Sequence, residues 1–271
     1  MATHWSADLL VGMRLALRAR FITIGFWVLV VIALAALMAA QFSGRQPATI
    51  ALDVGISTIR ITLPIIIVLV VQELFSREFD RRYFLTSFTY PRSRQVMFIG
   101  RFASSLILVA VLLFIMALLL GLLVWQVEKG YEQARGVALN HYYIATMAFI
   151  LLDSVSVLAV AALLAITASS PSFVLIGTLG FTVLARSYST IILLLAQQQG
   201  LVTDPELYRK SLGLLLYIIP DLGALDVRAM ALYGTSYFLP GNWIENVFRV
   251  LAYSLGLIGL SMYALNRKQF N

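Results

Sequence analysis

Residues 102–125 read FASSLILVAVLLFIMALLLGLLVW, a run of 24 residues without one charged side chain. A helix rises 1.5 Å per residue, so about 20 apolar residues cross the roughly 30 Å hydrocarbon core of a bilayer. An apolar run of this length is typical of a transmembrane helix. The stretch therefore predicts one complete crossing of a membrane.

Five further stretches are apolar and long enough to cross a bilayer. They are 21–40, 54–72, 142–168, 173–195 and 246–265. Hydrophobic residues make up 61% of the chain and charged residues 12%, against about 45–50% and 25% in soluble domains. No polar block between the stretches is long enough to fold separately. The sequence therefore predicts an all-α membrane protein, with one domain over 1–271 and six transmembrane helices.

Lysine and arginine near the span ends predict the orientation, because short cytoplasmic loops carry an excess of these residues. With both termini in the cytoplasm, eleven of them flank the spans on the inner side and seven lie in the longer outer loops. We therefore predict a multi-pass protein of the inner (cytoplasmic) membrane with both termini in the cytoplasm. The net charge of +7 fits arginines that face anionic lipid headgroups, so nucleic acid is not expected as a partner.

An amphipathic helix is predicted before the first span. Ser6 can cap its start, and Arg14 and Arg18 lie away from the apolar face. The apolar residues fall near i, i+4 spacing: Leu9, Leu10, Met13, Leu17 and Phe21. Such a helix lies in the membrane surface.

Residues 73–94 between the second and third spans read ELFSREFDRRYFLTSFTYPRSR. Aromatic residues recur there every four positions: Phe75, Phe79 and Tyr83. Charged residues lie between them, with Glu78 four positions before Arg82 in the favourable order. Pro91 stops the helix. The pattern predicts a short amphipathic helix on the cytoplasmic side.

The outer stretch from Leu212 to Leu239 is the third region that does not span. Its apolar run is about ten residues long, which is too short to cross a bilayer, and Pro220 and Asp221 interrupt it. The stretch therefore predicts a pair of re-entrant or interfacial helices before the last span.

The common motifs of catalysis and metal binding are absent from the sequence. No Gly-Lys dipeptide occurs, so the chain has no phosphate-binding P-loop. The two histidines, His4 and His141, do not form a zinc-protease motif, no Gly-x-Ser-x-Gly elbow occurs, and cysteine is absent. We therefore expect neither an enzyme nor a metal or cofactor site in this chain.

Three charged residues lie well inside predicted spans, where a charge costs at least about 2.5–3.5 kcal/mol. Asp153 and Arg186 lie on consecutive antiparallel spans, both roughly 14–17 Å below the outer ends. Matched depth predicts an ion pair, which either pins the two spans together or lines a translocation path. Arg60 lies about six residues into the second span and is expected to snorkel outward, and Pro64 is expected to kink that span.

The order of these parts resembles the permease subunits of type-2 ATP-binding-cassette (ABC) transporters. The resemblance is strongest from Glu78 to Arg101, including the step Pro91-Arg92-Ser93-Arg94 into the third span. The outer Ile219-Pro220-Asp221-Leu222 and residues 266–270 resemble the sub-branch linked to multicopper-enzyme maturation. The family often has a Gly-Thr pair in its cytoplasmic helix, where this chain has Arg82-Tyr83-Phe84.

The resemblance implies a mechanism. Two permease subunits pair, and each rests its cytoplasmic helix in a groove of a separate P-loop ATPase subunit that holds ATP and Mg. Residues 74–90 would be this coupling helix, with its aromatic face toward the bundle and its charged residues on the ATPase: Arg77, Glu78, Asp80, Arg81 and Arg82. Pro220 and Asp221 would belong to an outer gate or to a docking face for a periplasmic partner.

Other functions stay open on the sequence alone. Residues 74–90 equally fit an elbow that binds lipid headgroups. A secondary transporter or channel without an ATPase is the first alternative to an exporter permease, although few charges lie in the spans and no inverted repeat is evident. A membrane scaffold for assembling another protein, or a membrane enzyme, is the second alternative. The transported substrate is not indicated.

Overall fold

The computed structural model describes residues 2–17, 21–76, 93–130, 137, 139–168, 170–197 and 219–267. These residues are almost entirely helical and contain no strand, which confirms the predicted all-α class for them. They form eight α-helices: α1 Ala2–Ala16, α2 Ile22–Phe42, α3 Pro47–Val71, α4 Arg94–Gly130, α5 His141–Thr167, α6 Pro171–Gln197, α7 Arg228–Tyr233 and α8 Trp243–Arg267. A π-helical turn, Gln72–Ser76, extends α3, and two 3-10 turns, Gly223–Leu225 and Ser236–Phe238, flank α7.

Five of the described helices are long and apolar enough to cross a membrane. They are α2, α3 with its extension to Phe75, α4, α5 and α8. Helix α6 has 27 residues and carries Arg186. The transmembrane helical character of the chain is therefore supported, and the assignment of α6 as a further span stays a prediction.

Helices α3 and α5 form the centre of the bundle. In their most apolar stretches 56% and 67% of the residues are buried, against 17% in α2 and in α8. Small residues line α5, and Ser156 Oγ lies 2.8 Å from Ser254 Oγ of α8. Small side chains allow close approach of helix backbones where lipid supplies no hydrophobic drive for association. The most buried helices therefore hold the positions where a polar site would be shielded from lipid.

Two arginines near the start of α4 donate hydrogen bonds to carbonyls at the ends of two other helices, at one end of the bundle. Arg101 Nη1 donates to the Leu74 carbonyl at 3.0 Å, and Arg94 Nη1 donates to the Leu265 carbonyl at 3.3 Å. Carbonyls at the ends of helices lack helical donors and need such partners. The end of α3, the start of α4 and the end of α8 therefore lie together.

Helix α6 begins at this same end. Gln72 Nε2, just after α3, donates to the Pro171 carbonyl at the start of α6, at 2.8 Å. From there α6 packs along α5 in the opposite direction. Its later residues consequently reach the other end of the bundle, where α3 begins.

Helix α1 packs against α4 through small residues. Gly12 and Ala16 are buried, and Ser104 Oγ of α4 lies 2.8 Å from the Leu9 carbonyl oxygen. The predicted apolar face does not make this contact, since Leu10 and Leu17 are 52% and 42% exposed. The predicted cap at Ser6 is wrong, because the helix already begins at Ala2.

Candidate functional site

Arg186 and Asp153 lie in contact inside the bundle. Arg186 donates through Nη2 and Nε to Asp153 Oδ2, at 2.5 Å and 3.2 Å. Asp153 is only 1% exposed, so its charge has almost no contact with the surroundings of the protein. The two ionisable residues at matched depth in α5 and α6 are thus brought together by the fold.

Arg186 also reaches α3, at a carbonyl that the sequence leaves without a helical donor. Pro64 has no N–H group and stands four positions after Arg60, so the Arg60 carbonyl loses its usual partner. Arg186 Nη1 donates to this carbonyl oxygen at 2.6 Å. One guanidinium therefore joins α3, α5 and α6.

The side chain of Arg60 does not snorkel outward, and the prediction that it does is wrong. Arg60 is 8% exposed and its Nη1 forms an ion pair with Asp226 Oδ2. Asp226 follows the 3-10 turn Gly223–Leu225, in the segment between α6 and α7. Because Asp226 pairs with Arg60, the Arg60 side chain does not need to reach the membrane surface for a partner.

Arg228, at the start of α7, extends the cluster. Its Nη1 donates to Ser57 Oγ of α3 at 2.7 Å and lies 3.3 Å from Asp53 Oδ1, without hydrogen-bond geometry to that oxygen. Its Nε lies 3.5 Å from Asp226 Oδ2. Three arginines and three carboxylates thus form one balanced network: Arg60, Arg186, Arg228, Asp53, Asp153 and Asp226.

The segment that carries Asp226 is fixed on α6 by its own backbone. The Leu222 N–H donates to the Ala185 carbonyl at 3.0 Å. Gly223 lies so close to α6 that a Cβ atom there would stand 2.5 Å from the Arg186 carbonyl oxygen. Only a glycine fits at this distance from α6. The residue type at 223 therefore determines the position of Asp226.

The two residues predicted for an outer gate lie just before this turn. Pro220 is buried, and Asp221 Oδ1 accepts a hydrogen bond from the Ala224 N–H at 3.1 Å. Together they shape the turn that leads to Asp226. A gating role for them stays a prediction, and the residues before 219 in the predicted hairpin lie outside the described residues.

A cavity of about 330 Å³ lies beside the network, between α3, α6 and the segment from Gly223 to Arg228. We call it the arginine cavity. Its polar lining consists of three arginines, one carboxylate and two hydroxyls: Arg60, Arg186, Arg228, Asp226, Ser57 and Thr190. The cavity surface therefore carries more positive than negative charge.

The predicted coupling helix is described only at its start. Phe75 is 2% exposed, with its ring centroid 5.7 Å from that of Phe98 in α4. The other predicted coupling residues lie outside the described residues: Arg77, Glu78, Phe79, Asp80, Arg81, Arg82 and Tyr83.

Half of the charged network was not predicted. Asp226 and Arg228 lie in the stretch predicted as outer helices, and Asp53 stands just before the predicted second span. A buried arginine requires a carboxylate partner. The position of Arg60 within a predicted span was therefore a signal that an acidic residue of a loop would pair with it. In the described part of the chain, no group of three His, Asp or Glu side chains is arranged to hold a metal ion.

In comparisons with known proteins, no protein-family model matches this chain and no curated protein matches its sequence.

Proposed function

We propose that this chain is the membrane-spanning permease subunit of an ATP-driven ABC transporter, working as an exporter. In this proposal a separate P-loop ATPase subunit holds ATP and magnesium, and two permease subunits pair in the inner membrane. Six spans, cytoplasmic termini and a coupling helix at residues 74–90 belong to the same proposal.

One observation carries the proposal: the start of the coupling segment continues directly from α3 and is anchored on α4 by two contacts. Phe75 packs on Phe98 of α4, and the Leu74 carbonyl, at the end of α3, accepts a hydrogen bond from Arg101 of α4. A segment attached in this way passes a displacement to α3 and α4 together. Because α3 carries Arg60, a push on the segment reaches the charged network at the opposite end.

The test is copurification with a P-loop ATPase and stimulation of its ATP hydrolysis. We expect the double charge reversal Arg81→Glu with Arg82→Glu to abolish association while the permease still inserts and purifies as a folded protein. Arg45→Glu is the matched control, since Arg45 is exposed in the turn between α2 and α3, at the other end of the bundle. Equal ATPase recovery from the double variant and the control would count against the proposal.

A secondary transporter without an ATPase is the second candidate, because the charged network puts more ionisable groups beside a cavity than the spans alone predicted. Transport that persists in vesicles without ATP and depends on an ion gradient would favour this candidate. Transport that requires ATP and the partner ATPase would favour the permease.

A further inference from the structure

We propose that the arginine cavity binds the anionic headgroup of a membrane lipid, a phosphate diester with one negative charge, while the lipid chain lies along α3. The proposal concerns binding at this site. It holds whether or not an ATPase is the partner of the chain.

The charge of the cavity lining selects an anion. Arg60, Arg186 and Arg228 line the cavity, and Asp226 is the one carboxylate that faces it. The other two carboxylates of the network pair with arginines but do not line the cavity. Asp153 is buried behind Arg186, and Asp53 lies beside Arg228. Guanidinium groups present several donors in a fixed geometry that matches the oxygens of a phosphate.

Asp226 marks the position that a phosphate oxygen would take. Its Oδ2 forms the ion pair with Arg60 and lies 3.5 Å from Arg228 Nε, so one anionic oxygen is shared by two guanidiniums. Arg60 Nε is buried and makes no hydrogen bond to any described residue. A phosphate diester can therefore compete with Asp226 for these donors.

The surface beside the cavity selects a lipid rather than a soluble phosphate. Ile61 lines the cavity and is 66% exposed. Ile65 and Leu69, at 41% and 38% exposure, follow at four-residue intervals on the same face of α3. From Ile61 to Leu69 the helix rises by eight steps, which is about 12 Å. An apolar stripe that starts at a positively charged cavity fits a ligand whose charge and alkyl chain are adjacent.

The binding test uses the purified full chain in detergent, with bound lipid counted by native mass spectrometry. We expect one phosphatidylglycerol per chain, bound at least about tenfold more tightly than phosphatidylcholine. Both lipids carry a phosphate diester, but the choline cation of phosphatidylcholine is repelled by the arginines of the lining. Arg228→Gln should weaken phosphatidylglycerol binding by about tenfold. Arg249→Gln is the matched control, because Arg249 pairs with Glu245 on the exposed surface of α8, and it should bind as the unmodified chain does.

Asp226→Asn separates binding from a structural role. Loss of the competing negative charge should tighten phosphatidylglycerol binding, whereas a residue that only holds the fold would weaken binding when changed. Asp221→Asn removes a charge from the same segment and keeps an oxygen that can accept from the Ala224 N–H. This control should leave the affinity unchanged.

Ile61→Gln tests the alkyl-chain half of the site. It should weaken phosphatidylglycerol binding, whereas Ile176→Gln on α6, where Ile176 is 70% exposed, should not. Equal affinity for the two lipids, or unchanged affinity in both Arg228→Gln and Asp226→Asn, would overturn the proposal. Inorganic phosphate that bound as tightly as phosphatidylglycerol would also overturn it, because the site would then belong to a soluble anion.

Discussion

Arg186 donates a hydrogen bond to the main-chain carbonyl of Arg60, 2.6 Å away, across the boundary between α6 and α3. The carbonyl is available because Pro64, one helical turn later, has no N–H group to offer it. A proline in one helix and an arginine in another are therefore coupled through a backbone atom. The same guanidinium holds Asp153 of α5, so three helices depend on one side chain.

The first prediction concerns this coupling. Arg186→Gln should cost less stability in a Pro64→Ala background, because the backbone N–H of the introduced alanine then serves the Arg60 carbonyl. The difference should be about 0.5–1.5 kcal/mol, the net value of one hydrogen bond. A double-mutant cycle on unfolding in detergent measures it, and Pro64→Ala with Arg228→Gln should be additive because Arg228 does not contact that carbonyl. Additivity of both pairs would contradict the prediction.

The second prediction concerns the buried ion pair. Asp153→Asn or Arg186→Gln alone should destabilise the protein by about 3–5 kcal/mol, since each leaves an uncompensated charge away from water. The double variant should cost clearly less than the sum, as measured by unfolding in detergent. Glu245 and Arg249 form the control pair, and because both are more than half exposed their coupling should be about 0.3–0.5 kcal/mol.

The third prediction concerns the contact of the Gly223–Leu225 turn with α6. Gly223→Ala places a Cβ atom 2.5 Å from the Arg186 carbonyl oxygen, and a helix backbone cannot yield as a flexible side chain can. Such overpacking should cost about 1–3 kcal/mol and displace Asp226 from Arg60. The melting temperature and the protease sensitivity of the segment report the change. Gly241→Ala, which has no neighbour within 4 Å of the added atom, should leave both unchanged.

The fourth prediction concerns orientation. The chain has no cysteine, so single cysteine variants can be labelled without background. In intact cells a membrane-impermeant maleimide should label Gly44→Cys, in the turn between α2 and α3, and should not label Ser93→Cys, just before α4. The two sites lie at opposite ends of the bundle and both are exposed. The reverse pattern would invert the predicted topology and place the proposed coupling segment outside the cytoplasm.

Local sequence determined the positions of the long helices. Apolar runs of sufficient length must form helices in lipid, because every backbone N–H and carbonyl needs a partner within the segment. The helix ends were less predictable: α3 begins at Pro47, where a proline suits the first turn, and α4 extends at both ends beyond its apolar run. These ends are set by the residues of the turns and by arginines that contact other helices. The hydrophobicity of the sequence reports neither.

The sequence by itself also placed Asp153 and Arg186 at the same depth, since helical rise alone fixes depth within a span. Only the tertiary structure decided that Asp226 and Arg228 complete the network with Arg60 and Asp53. That outcome depends on the path of a non-helical segment, which Gly223 allows to approach the backbone of α6. Contacts between residues far apart in the chain leave no periodic signal in the sequence. A buried arginine needs a carboxylate for energetic reasons, which predicts the type of its partner but not the position of that partner.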